Sequence, residues 1–125
     1  MQVRDKFFSS LVSLQATAHS TASDEIGIID VGKTLDDRAA SRMKEQFKEF
    51  VAEGRQRHII DLTKLDVLDS GGLAGLISAL RAVRETGGSV DLVANSMHVT
   101  QILELTSLTR LFKVHRSMKA ALASL

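Results

Sequence analysis

The chain has 125 residues, with Lys+Arg 16 against Asp+Glu 15, a formal net charge of +1, and no Cys, Pro, Trp or Tyr. That length fits a single domain over residues 1–125 with enough surface to bury a core without metals or staples. Absent cysteine removes disulfides, thiolate zinc sites and cysteine nucleophiles, and five Phe without Trp or Tyr offer little for a base-stacking platform. The near-neutral charge supplies no electrostatic argument for nucleic acid or membrane, and no apolar run approaches the ~20 residues that would span a bilayer.

At the N-terminus, Arg4 and Lys6 precede a run from Phe7 to Leu14, with Ala16-Thr17-Ala18 after it, the outline of a signal peptide. Three serines dilute that run and Asp5 sits among the basic residues, whereas Val12, Leu14 and Ala16 alternate with Ser13, Gln15 and Thr17. This period of two favours a half-buried strand. His19 to Glu25 reads as a polar loop, and Ile26-Gly27-Ile28-Ile29-Asp30-Val31 as a second strand, expected antiparallel to the first. Gly32-Lys33-Thr34 breaks it. Asp36 or Asp37 then caps a helix whose stripe is Ala40, Met43, Phe47, Phe50 and Val51, ended by Gly54.

His58-Ile59-Ile60-Asp61-Leu62 is a buried-strand candidate, followed by Leu65, Val67, Leu68 and the corner Asp69-Ser70-Gly71-Gly72. Leu73, Leu76, Ile77, Leu80 and Val83 show the clearest helical period in the chain, closed by Gly87-Gly88. Val90 to Ala94 is a further strand, so residues 58–94 form a βαβ unit with parallel strands. Ser96 is positioned to cap a third helix carrying Val99, Ile102 and Leu103 inward, with Leu105 as a further inward candidate. Phe112-Lys113-Val114 and a terminal helix with Met118, Ala121 and Leu122 complete an α/β domain with a mixed sheet.

Chemistry-bearing patterns are few. Histidines 19, 58, 98 and 115 lack metal-ligand spacing, and there is no phosphate loop, dinucleotide fingerprint or nucleophile elbow. No catalytic residue, metal site or cofactor is expected, and the chain reads as a non-enzyme. The remaining candidate is Asp69-Ser70-Gly71-Gly72-Leu73, between a strand and the strongest helix. In one reading Ser70 is an N-cap and the glycines make a tight turn. In the other, the corner meets a partner and Ser70 accepts a phosphoryl group, whose charge a helix N-terminus tolerates while a complementary partner surface does not.

From Ile26 to the C-terminus the chain resembles the STAS domain, the fold of bacterial anti-sigma factor antagonists. The residues that carry the resemblance are Ile59-Ile60-Asp61-Leu62-Thr63, Val67-Leu68-Asp69-Ser70-Gly71-Gly72-Leu73, Gly87-Gly88, Leu92-Val93, and Leu103 to Phe112. The resemblance implies a small mixed β-sheet with helices packed mainly on one side. It also implies a cytoplasmic protein that binds an anti-sigma factor, itself a serine-protein kinase, and so releases a sigma factor. Phosphorylation of Ser70 would break that complex and a serine phosphatase restore it, with Asp36, Asp69, Ser70, Gly71, Gly72 and Leu73 meeting the partner. ATP and magnesium would belong to the kinase, and neither direct nucleic-acid contact nor membrane insertion is implied. The alternative is a non-phosphorylated STAS scaffold subunit of a signalling complex or a lipid-transport ATPase complex.

Three positions depart from the family pattern. Gly71 stands where a second hydroxyl residue often follows the serine, leaving Ser70 as the one hydroxyl of the corner. The Gly-x-Leu-Asp motif appears as Gly32-Lys33-Thr34-Leu35-Asp36, one residue longer, which bears on Asp36 as a contact residue. Ser107 replaces the usual glycine of Thr-Gly-Leu, where a left-handed backbone would cost roughly 1 kcal/mol; a differently closed helix end is the other option.

Overall fold

A computed structural model describes residues 26–125. In chain order its elements are β1 (Ile26–Asp30), β2 (Thr34–Leu35), α1 (Asp37–Ala52), β3 (Arg57–Asp61), β4 (Val67–Leu68), α2 (Ser70–Glu85), β5 (Ser89–Val93), α3 (Met97–Leu105), α4 (Leu108–Leu111), β6 (Lys113–His115) and α5 (Met118–Ala123). The strand and polar loop expected before residue 26 lie outside the described residues. So does the antiparallel pairing that would make the sheet mixed.

The main sheet runs β1-β3-β5-β6, and each neighbouring pair is parallel. The expected βαβ unit is therefore present as β3–α2–β5. Alternation along the strands divides the apolar residues between two faces. Ile29, Ile60, Val90 and Leu92 join α1, α2, α3 and α4 in the main core, with Met43, Phe47, Leu76, Leu80, Leu103 and Leu108. Ile59 and Val93 point to the opposite face, where Ala121 of α5 closes a smaller cluster with Ile26 and Met118. On that second face His115 Nε2 and Asp91 Oδ2 lie 2.8 Å apart. The helices thus pack mainly on one side, with the short α5 on the other.

Two features were not anticipated: the separate parallel pair β2·β4 and the one-turn α4. Three side chains expected inward are not. Leu105 is 85% exposed, because it lies two positions, about 200° of helix, beyond buried Leu103. Val51 and Leu122 each follow an inward residue by one position and are turned partly to solvent.

One polar group sits deep in the main core. His58 is 1% exposed, with Phe47 edge-on at a centroid distance of 5.2 Å. Its Nδ1 lies 3.3 Å from the Ser89 carbonyl oxygen, an acceptor, so Nδ1 carries the proton. Nε2 is buried with no hydrogen-bond partner among the described residues. Burial, more than the nearby Arg55 charge, holds this imidazole below its ordinary pKa of 6.5, and the Ser89 contact opposes the shift.

Candidate functional site

The β2·β4 pair places two helix starts beside each other. Leu35 pairs with Leu68, so the next residues, Asp36 and Asp69, occupy equivalent positions at the heads of α1 and α2. Both are extended and both cap. Asp36 Oδ1 accepts from the Ala39 N–H at 3.0 Å, and Asp69 Oδ1 accepts from the Gly72 N–H at 2.7 Å. The Ala39 N–H is the main reason the Asp36 carboxyl sits below its ordinary pKa of 3.8. The loop before β2 is tied to the approach of β4: the Lys33 carbonyl accepts from Asp66 N at 2.8 Å and Val67 N at 3.0 Å. Asp36 consequently stands beside the corner despite the longer motif.

Ser70 is not the N-cap. Asp69 takes that role, and Ser70 is the first helical residue, exposed, its hydroxyl making no hydrogen bond to any described residue. Serine hydroxyls cap two other helices, at Ser96 and Ser117, so it is position and not chemistry that excludes Ser70: it already lies within the helix, one residue past the extended cap position that Asp69 occupies.

The glycines set how closely the two helix starts approach. A side chain at Gly72 would overlap the Leu35 carbonyl, and one at Gly75 would overlap the Ala40 methyl. At Gly71 the obstacle is the Asp37 carboxylate, the far end of an exposed side chain. Gly71 and Gly72 are thus close-approach residues and not a turn. Leu73, anchored by its N–H to the Asp69 carbonyl at 2.9 Å, is half-buried and packs against the main core. Asp69, Ser70, Gly71, Gly72 and Asp36 are brought together, while Leu73 leans inward.

Sequence reasoning missed Asp37 as a member of this cluster. The repeated Leu-Asp at 35–36 and 68–69 is the signal that could have paired the two segments. Among the described residues no group of three or more His, Asp or Glu is arranged to hold a metal ion, and no helix is long and apolar enough to cross a membrane.

Ser107 has φ 63° and ψ 16°, so the left-handed alternative holds at the start of α4, with no side-chain cap to offset it.

The STAS domain family matches residues 17–121. A Thermotoga maritima protein named as a candidate anti-sigma factor antagonist is 27% identical over 100 residues, covering 79% of this chain and 88% of the relative. BtrV of Bordetella bronchiseptica, similarly named, is 27% identical over 85 residues, covering 68% and 73%. Among solved structures, an anti-sigma factor antagonist from Mycobacterium paratuberculosis aligns with a TM-score of 0.68 at 23% identity, covering 81% of this chain and 86% of that one. Phosphorylated SpoIIAA of Bacillus aligns with a TM-score of 0.64 at 17% identity, covering 81% and 91%. At those identities the two structures establish a shared fold. With 105 of its residues matched, the chain belongs to the STAS domain family.

Proposed function

We propose that this protein is an anti-sigma factor antagonist whose binding is switched at Ser70. Its partner would be a cytoplasmic anti-sigma factor that is also a serine-protein kinase, opposed by a serine phosphatase. The chain itself would be a substrate without catalytic residues or cofactor. The observation that carries this reading is the division of labour at the corner: Asp69 caps α2, leaving the Ser70 hydroxyl exposed and unbonded. A phosphoryl group can therefore be added without dismantling the cap. It brings about −1.5 to −2 charges to a surface that already carries Asp36, Asp37 and Asp69. The free N–H groups of the first helical turn compensate that charge within the domain, while a partner packed on the corner meets it directly. Relatives named for anti-sigma factor antagonism support the assignment of partner class.

Incubation with the cognate kinase and ATP, followed by mass mapping, tests the switch. Phosphate on Ser70 and loss of the complex are expected, and Ser70→Asp should remain folded while losing the kinase. Phosphate elsewhere, or none while the complex persists, refutes Ser70 as the switch. In the latter case Gly71, which leaves the corner without a second hydroxyl, favours a non-phosphorylated scaffold.

A further inference from the structure

The exposed face of α2 does not end at Ser70. At 3.6 residues per turn, Ser70, Ala74, Ile77, Arg81 and Arg84 fall on one stripe, spaced four, three, four and three. Ser70, Ala74, Arg81 and Arg84 are exposed and Ile77 is half-buried. With a rise of 1.5 Å per residue, Arg81 lies about 16 Å down the helix from Ser70. There the stripe opens into a groove of about 330 Å³ between α2 and α4, lined by Ile77, Arg81, Arg84 and Glu85 of α2 and by Leu111 and Phe112 opposite, so that two cations share it with one carboxylate.

The chemistry of this groove is unbalanced in a specific way. Leu111 is 60% exposed although it sits against an apolar wall. The Arg84 guanidinium stands 5.8 Å from the Phe112 ring centroid, fixed over an aromatic face. Neither Arg81 nor Arg84 has a carboxylate partner among the described residues. Two guanidiniums without a carboxylate partner among the described residues, one over the ring of buried Phe112 and both beside the exposed Leu111 side chain, complement a segment that is both acidic and apolar.

We propose that the footprint of the anti-sigma factor runs from the Ser70 corner down α2 into this groove. A partner carboxylate is held by Arg81 and Arg84, and an aliphatic side chain lies against Ile77 and Leu111. The inference rests on the proposed function and adds a second part to it. The corner is where phosphate acts, and the groove is a charge-complementary anchor that phosphate does not touch.

The experiment begins with capture by the wild-type chain and identification of the captured anti-sigma factor by mass spectrometry. Both proteins are then purified and titrated calorimetrically at low and high salt. Arg81→Glu and Leu111→Ser should each remain folded by circular dichroism and weaken binding about 10-fold or more. Arg81→Glu should also flatten the salt dependence. Lys48→Glu, on exposed α1 surface outside the groove, should change affinity less than about 2-fold. A carboxylate-to-lysine change in the partner that restores binding to Arg81→Glu would complete the assignment. Unchanged affinity in both groove variants, or an equal loss in Lys48→Glu, overturns the footprint and leaves the function standing. Capture of no anti-sigma factor overturns both.

Discussion

Gly71 and Gly72 are adjacent, chemically identical and both in the first turn of α2, yet alanine should affect them oppositely. At Gly71 the added methyl meets the end of the exposed Asp37 side chain, which can rotate away. Removing a helical glycine gains up to about 1 kcal/mol, so Gly71→Ala should fall between neutral and slightly stabilising. At Gly72 the methyl overlaps the Leu35 carbonyl and comes 3.0 Å from Asp36 N. Leu35 is fully buried, and its backbone is tied to β4 through the Leu68 pairing. No side-chain rotation relieves that overlap, so the β2–α1 junction must shift. Overpacking of this kind costs about 1–3 kcal/mol, and loosening the Asp69 cap adds about 1 kcal/mol. Gly72→Ala should therefore lose about 2–4 kcal/mol, a separation of at least about 2 kcal/mol from its neighbour. Urea unfolding followed by circular dichroism, at unchanged m-value, measures both. Gly72→Ala within about 0.5 kcal/mol of wild type, or a loss as large in Gly71→Ala, would refute the close approach on which the site's geometry depends.

Three further outcomes follow from individual residues. Ser107→Gly should gain about 1 kcal/mol and raise Tm by about 4 °C in a thermal melt, since the exposed Ser107 side chain makes no capping bond at φ 63°. Asp69→Ala should lose about 1 kcal/mol in denaturant while Ser70→Ala stays within about 0.5 kcal/mol, because the cap belongs to Asp69; the reverse order would return that role to Ser70. For His58 the unfolded chain binds a proton near pH 6.5 while the buried imidazole resists it. Its contribution is therefore complete above that pH and is lost as pH falls from there through the lower folded value. The pH slope of stability below neutrality should flatten in His58→Leu, and an unchanged slope would assign the titration elsewhere.

Much of this architecture is legible in the sequence because it is periodic. The stripe Ala40, Met43, Phe47 and the stripe Leu73, Leu76, Ile77, Leu80, Val83 each prescribe a helix with one apolar face. The runs at 58–62 and 90–94 have the length and content of buried strands. Gly54 and Gly87 end helices at φ of 82° and 84°, conformations that glycine alone adopts freely. The corner at residues 69–73 was visible for the same reason, as small and capping residues between two strongly patterned segments.

What periodicity leaves open is everything that depends on a second segment. Whether Asp69 or Ser70 caps α2 turns on which side chain accepts from the Gly72 N–H, and in the fold that is Asp69, at 2.7 Å. That Asp36 and Asp69 stand side by side is decided by two residue pairs between β2 and β4, too short to carry an alternation of their own. Gly71 and Gly72 look alike along the chain and differ only because Asp37 faces one and the Leu35 backbone the other. By itself the sequence determined a small α/β domain with a hydroxyl-bearing corner, because local pattern is enough to place apolar faces. The tertiary structure alone decided that the hydroxyl is free of the cap and that its helix face continues to a groove whose arginines have no carboxylate partner among the described residues, because those facts are distances between side chains and not patterns along the chain.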